Sequence, residues 1–425
     1  MKKIRIGIFG ATRGGYAFHD IIKACGGEVV AFCDKNPKRI KSTLEKYCSK
    51  AEVYSDFDEF IKHPMDAVLI ANYFHEHAEY AIRCLERNIH VLSECISNAT
   101  MADGVRLVRA AEKSKAIYML LENYPFMTVT REIKRVCDGG TLGKLLYAEG
   151  EYNHAADPYY DGGVDDLYDG EKHWRLFLPR TYYVTHSLAP IMYSTGANPI
   201  RVTATAIFSP TPRDCKRASN CGDKAAIITT LNDDDSVFKF VANSSFGASD
   251  NSYRVCGEYG QVENVRGGDG KIMLRYNSWN KPEDKECVNY YTPEINDKDK
   301  EQIEKSGHGG GDFVAIRTFF ECIREQKKPD FDVYFATRMS SVGILAHRSV
   351  LEGGMPQDIP DFRLEEDRKK WENDTLSPFW SSDGTPPSLP CCSHPDYAPS
   401  KEQKKNFLCL LAESEANKAK ELENM

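Results

Sequence analysis

A chain of 425 residues, 41% apolar and 28% charged, has the length and composition of a soluble globular protein of two domains with a sizeable core. Its net charge of −8 and the lack of a basic stripe exclude nucleic acid as a partner, and no apolar run is long enough to span a membrane. Fourteen cysteines are scattered without paired zinc spacing, so free thiols in a reducing, cytoplasmic compartment are expected.

The first predicted elements form one unit. Ile4–Phe9 reads as a buried strand, Gly10-Ala11-Thr12-Arg13-Gly14-Gly15 as a glycine turn opening a helix, and Val29–Cys33 as a second strand ending in Asp34. This is the layout of a dinucleotide-binding βαβ unit. Amides of the turn and the helix N-terminus meet the pyrophosphate, and the acid takes the adenosine ribose hydroxyls. Gly10, Ala11, Thr12, Arg13, Gly15 and Asp34 are therefore predicted cofactor-binding residues. Thr12 stands where a second glycine is usual; it narrows the approach, while its hydroxyl can donate to a phosphate oxygen. Asp34 repels a 2′-phosphate, so NAD is expected over NADP, a preference that Lys35, Lys38 and Arg39 temper. The bland alternative is a buried βαβ unit with no ligand.

Strand and helix then alternate. A helix from Pro37 to Lys46 is followed by a strand at Glu52–Tyr54, a helix at Asp56–Lys62 and a buried strand at Asp66–Ala71. The amphipathic helix His77–Asn88, the strand Ile89–Ser93, the helix Ala102–Ser114 and the strand Ile117–Leu121 complete a doubly wound parallel sheet, giving a nucleotide domain over 1–122. Strand-like runs follow at Leu145–His154, Ile200–Phe208, Ala225–Leu231, Ser236–Phe246, Tyr253–Gly257, Gln261–Val265 and Lys271–Tyr276. They predict an α+β domain over 123–363 with a large open antiparallel sheet, one face covered by helices near Gly311–Glu325 and Val333–Gly353. The open face needs covering, so a homo-oligomer is expected. Residues 364–425 turn charged, then proline-rich, and close with a polar helix near Lys401–Glu423, which reads as a peripheral arm or partly ordered tail.

Four segments carry chemistry. His90-Val91-Leu92-Ser93-Glu94-Cys95-Ile96 and Glu122-Asn123-Tyr124 end adjacent parallel strands, where doubly wound sheets place ligands. Glu149 to His154, His173 to Leu176 and Tyr182 to Ser187 supply tyrosine, histidine and arginine. Gly307-His308-Gly309-Gly310-Gly311-Asp312 is a glycine turn opening a helix, with a solvated His308 as the plain alternative. His154, His173, His186 and His308 with Glu149 or Glu151 are metal-ligand types, but they lack close helical spacing, and no metal is expected.

From Ile4 to about Arg363 the sequence resembles the Gfo/Idh/MocA oxidoreductase family, on Ala71 to Leu85 with His77 retained and on Val255-Cys256-Gly257-Glu258-Tyr259-Gly260. The resemblance implies a Rossmann domain, an open-sheet substrate domain and NAD, with Asn72, His77, Glu94 and Asn123 joining the cofactor-binding set. Dehydrogenases of that family carry Glu-Lys-Pro where this chain has Glu94-Cys95-Ile96, and cysteine lacks the cationic head that assists at an oxidised hydroxyl. Cys95 reads most simply as a small buried filler. Glu122-Asn123, the Glu149 to His154 stretch, His173-Trp174-Arg175-Leu176, Tyr183-Val184-Thr185-His186, Gly307-His308-Gly309-Gly310 and Ile359-Pro360-Asp361-Phe362 are similar to the family's NAD-dependent glycosidase branch, the α-N-acetylgalactosaminidase-type enzymes.

That branch implies oxidation of a sugar carbon by NAD⁺, loss of the acidified neighbouring proton, elimination of the C1 substituent, addition of water and return of the hydride. By resemblance and chemical type, Tyr152 is the candidate base at C2. Tyr183 and His186 handle the C3 hydroxyl proton, and His154 assists the leaving group. Glu122, Arg175 and His308 are candidate substrate-binding residues. The alternatives are a net sugar or cyclitol dehydrogenase and a noncatalytic sugar- or NAD-sensing protein.

Overall fold

A computed structural model describes residues 3–10, 16–35, 40, 50–155, 157, 159, 168–268 and 270–423. The predicted cofactor residues Ala11, Thr12, Arg13 and Gly15, and nearly all of the predicted helix from Pro37 to Lys46, lie outside these.

Six strands, β1 (Ile4–Phe9), β2 (Gly27–Cys33), β3 (Glu52–Tyr54), β4 (Ala67–Ile70), β5 (His90–Ser93) and β6 (Tyr118–Leu120), form one parallel sheet. Their order is β3-β2-β1-β4-β5-β6. Continuous apolar runs make these strands: β4 is buried throughout, as a strand covered by helices on both faces must be. Helices Tyr16–Ala24, His77–Glu86 and Met101–Lys113 alternate with them. The last begins where predicted because the Thr100 hydroxyl accepts from the Asp103 amide at 3.1 Å, capping the first turn. Strand order reverses between β1 and β4, and the crevice beyond their carboxyl ends is where such sheets bind ligands.

The second sheet holds nine strands: β7 (Leu145–Asn153), β8 (Pro199–Phe208), β9 (Asp223–Asn232), β10 (Val237–Ser244), β11 (Asp250–Gly257), β12 (Gly260–Asn264), β13 (Ile272–Tyr276), β14 (Val288–Tyr291) and β15 (Gln357–Asp358). The expectation of an antiparallel sheet is corrected to a mixed one. β10 runs parallel to β7, with Val237 opposite Tyr147 and Phe240 opposite Gly150. After β7 the chain makes a long excursion, and the β8–β9–β10 meander returns to one edge of β7 while β11 takes the other edge antiparallel. Helices Thr185–Thr195 and Val333–Leu351 cover the inner face. The outer face carries Glu149 paired with Lys239 and Arg254, and Glu151 paired with Arg266, among half-exposed Ile207, Ile227, Leu231 and Val237.

Residues beyond Arg363 pack as an arm rather than a loose tail. Helix Glu365–Trp371 lies on helix Met101–Lys113, where Arg368 pairs with Glu112. Asp374 takes both terminal nitrogens of Arg348, at 2.6 and 2.5 Å. Phe379 is buried against Phe74, His75 and Tyr182, so it touches both domains. Helix Lys401–Glu423 sets Phe407, Leu410 and Leu411 against Leu176 and Ala218. Every described cysteine is a free thiol, and no described helix is long and apolar enough to cross a membrane.

Candidate active site

A cleft of about 730 Å³ opens beyond the carboxyl ends of the parallel strands and runs across the inner face of the second sheet. Its inner end is built by the switch point. Gly10 follows β1 with φ +92°, and a Cβ there would lie 2.3 Å from the Ala71 carbonyl, so only glycine lets the chain pass β4 at this turn. Asp34, at the end of β2, lines the same end and is buried. Asn72 and Asn123 also line it, and each holds a buried side-chain oxygen with no partner among the described residues. Their amide nitrogens are committed, Asn72 to Glu76 at 3.1 Å and Asn123 to Asp312 at 2.6 Å. An acid at β2, a glycine crossing and two orphaned acceptors suit the ribose hydroxyls and carboxamide of a dinucleotide. Glu94 lines the cleft as well, accepting from the Cys95 amide at 3.3 Å.

His77 lines the same end of the cleft with almost no exposed surface. Its ring is buried, with Nδ1 3.0 Å from the Ile96 carbonyl and Nε2 3.3 Å from that of Asn72. Burial holds it below the ordinary imidazole range, so the neutral ring donates to one carbonyl and ties the turns after β4 and β5 together. Through the Asn72 carbonyl it fixes the turn that carries Asn72.

The chemical end is an aromatic cluster drawn from distant segments. Tyr124 stacks on His186 with ring centres 4.2 Å apart, and Tyr152 meets His186 edge-on at 4.8 Å. Tyr183 lies 5.2 Å from His186 and 6.1 Å from Tyr152. His154, on the rim, is 5.9 Å from Tyr152, and His308 is 5.6 Å from Tyr124. The Asp312 carboxylate accepts from His308 Nδ1 at 2.9 Å and from Asn123, which links this turn to the cofactor end, while the His308 side chain keeps 40% of its surface exposed. Arg175 lays its guanidinium 4.4 Å from the Trp174 ring, and both line the cleft.

Glu122 lies away from the cleft surface. It was expected to hold sugar hydroxyls, yet it has no exposed surface and lies behind the cluster. His186 Nδ1 is 2.8 Å from one oxygen, the Tyr124 amide donates to the same oxygen at 3.2 Å, and the Cys95 thiol donates to the other at 3.1 Å. Burial alone would raise this carboxyl; the adjacent His186, with the thiol, outweighs it and leaves Glu122 lowered and ionised. An ionised Glu122 can only accept, so the proton of this hydrogen bond sits on His186 Nδ1. Burial, then Tyr152, pushes the Tyr183 phenol up, which keeps it a proton donor. Cys95 is raised well above the ordinary thiol range by burial and Glu122, so it is no nucleophile.

Two backbone features hold this geometry. Gly150 lets β7 approach helix Thr185–Thr195, since a Cβ there would sit 2.0 Å from the Ser187 carbonyl. Pro190, inside that helix, has no N–H for the His186 carbonyl four residues back; the Tyr253 hydroxyl donates to it instead at 2.7 Å. Glu149 and Glu151 point to the opposite face of the sheet, away from the histidines. Among the described residues no group of three or more His, Cys, Asp or Glu could hold a metal. Sequence reasoning missed Tyr124, Tyr253 and Asp312. Tyr124 and Asp312 stood inside quoted motifs, but nothing in the sequence marks Tyr253.

Comparison with known proteins agrees with this layout. The family model for the oxidoreductase family with an NAD-binding Rossmann fold matches residues 4–122, and that for the glycosyl hydrolase 109 C-terminal domain matches residues 214–373. Glycosyl hydrolase family 109 proteins of Streptomyces niveus and Solibacter usitatus are each 24% identical, covering 86% and 87% of this chain and 78% and 89% of their own. One of Akkermansia muciniphila is 25% identical, over 85% of this chain and 83% of its own. Levoglucosan dehydrogenase, solved with NADH and levoglucosan, shares the fold at a TM-score of 0.69 and 16% identity, covering 84% of this chain and 100% of that one. Aldose-aldose oxidoreductase from Caulobacter crescentus, solved with glycerol, does so at 0.63 and 17%, with coverage of 84% and 100%. Residues 4–122 thus form an NAD-binding Rossmann domain of the Gfo/Idh/MocA oxidoreductase type, and residues 214–373 resemble the C-terminal domain of glycosyl hydrolase 109.

Proposed function

We propose that the protein is an NAD-dependent carbohydrate enzyme that cleaves a glycoside by a redox-neutral route. The observation that carries the reading is the Glu122–His186 pair under a ring of tyrosines, with Cys95 at the place of the dehydrogenase lysine. NAD, held by Gly10, Asp34, Asn72, Glu94 and Asn123, supplies reversible two-electron oxidation of a sugar carbinol carbon.

His186, oriented by Glu122, accepts the hydroxyl proton of that carbon at Nε2, and the protonated Tyr183 donates a hydrogen bond to the same oxygen. Tyr152, on the next face of the cluster, takes the proton of the neighbouring carbon. His154, exposed at the rim, reaches the departing oxygen. Arg175 and His308 hold sugar hydroxyls. The relatives' names support action on glycosides, and levoglucosan dehydrogenase supports a sugar-sized ligand in this fold. Levoglucosan dehydrogenase equally supports net oxidation of a sugar, the second reading, in which NADH accumulates.

We place the protein in the cytoplasm, from its free thiols, and assign it self-association through the outer face of the second sheet, where Ile207, Ile227, Leu231 and Val237 are half-exposed. A panel of α- and β-nitrophenyl glycosides with added NAD tests the function. Phenol release without matching NADH supports cleavage; NADH accumulating on free sugars replaces it with dehydrogenation.

A further inference from the structure

The outer half of the cleft carries charge that the proton-handling cluster does not use. Arg175, Arg180, Arg217 and Lys224 line it, beside the hydroxyls of Ser219 and Ser245. Lys224 stands at the start of β9, and Arg180 precedes helix Thr185–Thr195. Arg180 Nε donates to the Asp223 backbone carbonyl at 2.9 Å, which fastens the guanidinium beside Lys224.

The Asp223 carboxylate is turned the other way. It accepts from the Ser393 amide at 2.9 Å, the Ser393 hydroxyl at 2.6 Å and the Cys392 thiol at 3.6 Å, all on the arm. Among the described acids along the cleft, Asp34 and Glu94 belong to the cofactor end, Glu76 takes Asn72 and Lys35, Asp169 takes the Tyr73 hydroxyl, and Asp157 accepts from the Tyr159 amide at 2.9 Å. No described carboxylate is ion-paired with Lys224 or Arg180. Burial and then Arg180 hold the half-buried Lys224 ammonium below its ordinary value, opposed only by the Cys215 and Cys221 thiols. Two neighbouring cations with no ion-paired carboxylate among the described residues, walled by protein on one side and open to a substrate cleft on the other, repel each other, and an anion between them relieves that repulsion.

We propose that Lys224 and Arg180 form a subsite for an oxyanion on the substrate, so that, on the carbohydrate reading above, the sugar bears a carboxylate or a sulfate ester. The planar guanidinium offers paired donors to two oxygens, Lys224 adds a point charge, and the Ser245 hydroxyl stands beside them as a further donor. Glycosides of neutral sugars then leave both cations unpaired and bind less well.

Calorimetry on the full-length, NAD-loaded protein at low salt tests this without turnover. Glucuronate, galacturonate and glucose 6-sulfate are titrated against glucose and galactose. At least one anionic sugar is expected to bind about tenfold or more tightly than its neutral parent, and to weaken as salt rises. Lys224→Gln and Arg180→Gln, each checked for unchanged NAD affinity, should erase that preference. Equal binding, absence of binding by every anionic sugar, or a preference that survives both substitutions overturns the subsite. If nitrophenyl glycosides are cleaved while the preference is absent, the subsite falls and the proposed reaction stands. If an anionic sugar binds through Lys224 but its nitrophenyl glycoside yields neither phenol nor NADH, the reaction falls and the subsite stands.

Discussion

His186 owes its chemistry to what lies behind it. An imidazole that donates from Nδ1 to a fully buried carboxylate can take a proton only at Nε2, the nitrogen left for substrate. Glu122→Gln keeps the shape and removes the charge, so kcat should fall roughly 100-fold or more with NAD affinity unchanged, as for other histidines deprived of their orienting carboxylate. Unchanged kcat would show that Glu122 is structural. Cys95→Ser keeps the donor to Glu122, and turnover should stay near wild type, since a thiol raised by burial is not the reacting group. Loss of activity in that variant, or rapid inactivation by iodoacetamide tracked to Cys95, would contradict this assignment. At this scale the sequence was informative about residue types: Tyr152, His154, Tyr183, His186 and His308 meet in one cluster. It did not show that Glu122 faces away from the cleft. Which side of a strand end is buried depends on helix Thr185–Thr195, far along the chain.

The elements that carry these residues differ in how clearly they can be read. The six short strands of the first domain are continuous apolar runs between helices with ordinary periodicity, and they emerge within a residue or two of expectation. Helix Thr185–Thr195 does not emerge, because it is buried on nearly every side and contains Pro190, which removes both the periodic signal and the usual backbone donor. The structure turns that irregularity to use, since the freed His186 carbonyl is taken by Tyr253. Tyr253→Phe leaves this carbonyl unpaired and should cost about 1–3 kcal/mol in denaturant unfolding, with His186 less well held and kcat reduced. Gly150→Ala drives a methyl into the Ser187 carbonyl and should cost roughly 1–3 kcal/mol or more. Wild-type stability in Gly150→Ala would mean that β7 and the helix are not in close contact. The parallel pairing of β10 with β7 was likewise illegible, because strand runs and turns record neighbours in sequence and not the return across a long excursion.

Across the whole molecule, the arm joins the two domains at the cleft. His75, in the first domain, contacts the Trp380 carbonyl at 3.0 Å, and His347, in the second, contacts that of Pro390 at 2.7 Å. Burial pushes both imidazoles down to about 4, a shift their carbonyl partners only partly oppose. The folded rings stay neutral while the unfolded chain begins to take up protons near 6.5, so their contribution is complete above that value and declines as the pH falls toward 4. Denaturant melts at pH 7.5 and 5.0 should show this loss, and the double variant His75→Gln with His347→Gln should flatten it. A slope unchanged in the double variant would place the acid sensitivity elsewhere. The composition of residues 364–425 left a peripheral arm and a partly ordered tail both open, because a proline-rich, charged stretch reads alike whether it packs or not.

On the proposed function, the cluster around His186 and Tyr152 removes a carbon-bound proton during a reaction that returns the cofactor unchanged. Cleavage run to partial conversion in D₂O, with the released sugar examined by mass spectrometry and NMR, tests this most directly. One deuterium at the carbon beside the anomeric position, with no net NADH and with incorporation lost in Tyr152→Phe, is the predicted result. A released sugar free of deuterium at that carbon would contradict the mechanism, however fast the cleavage.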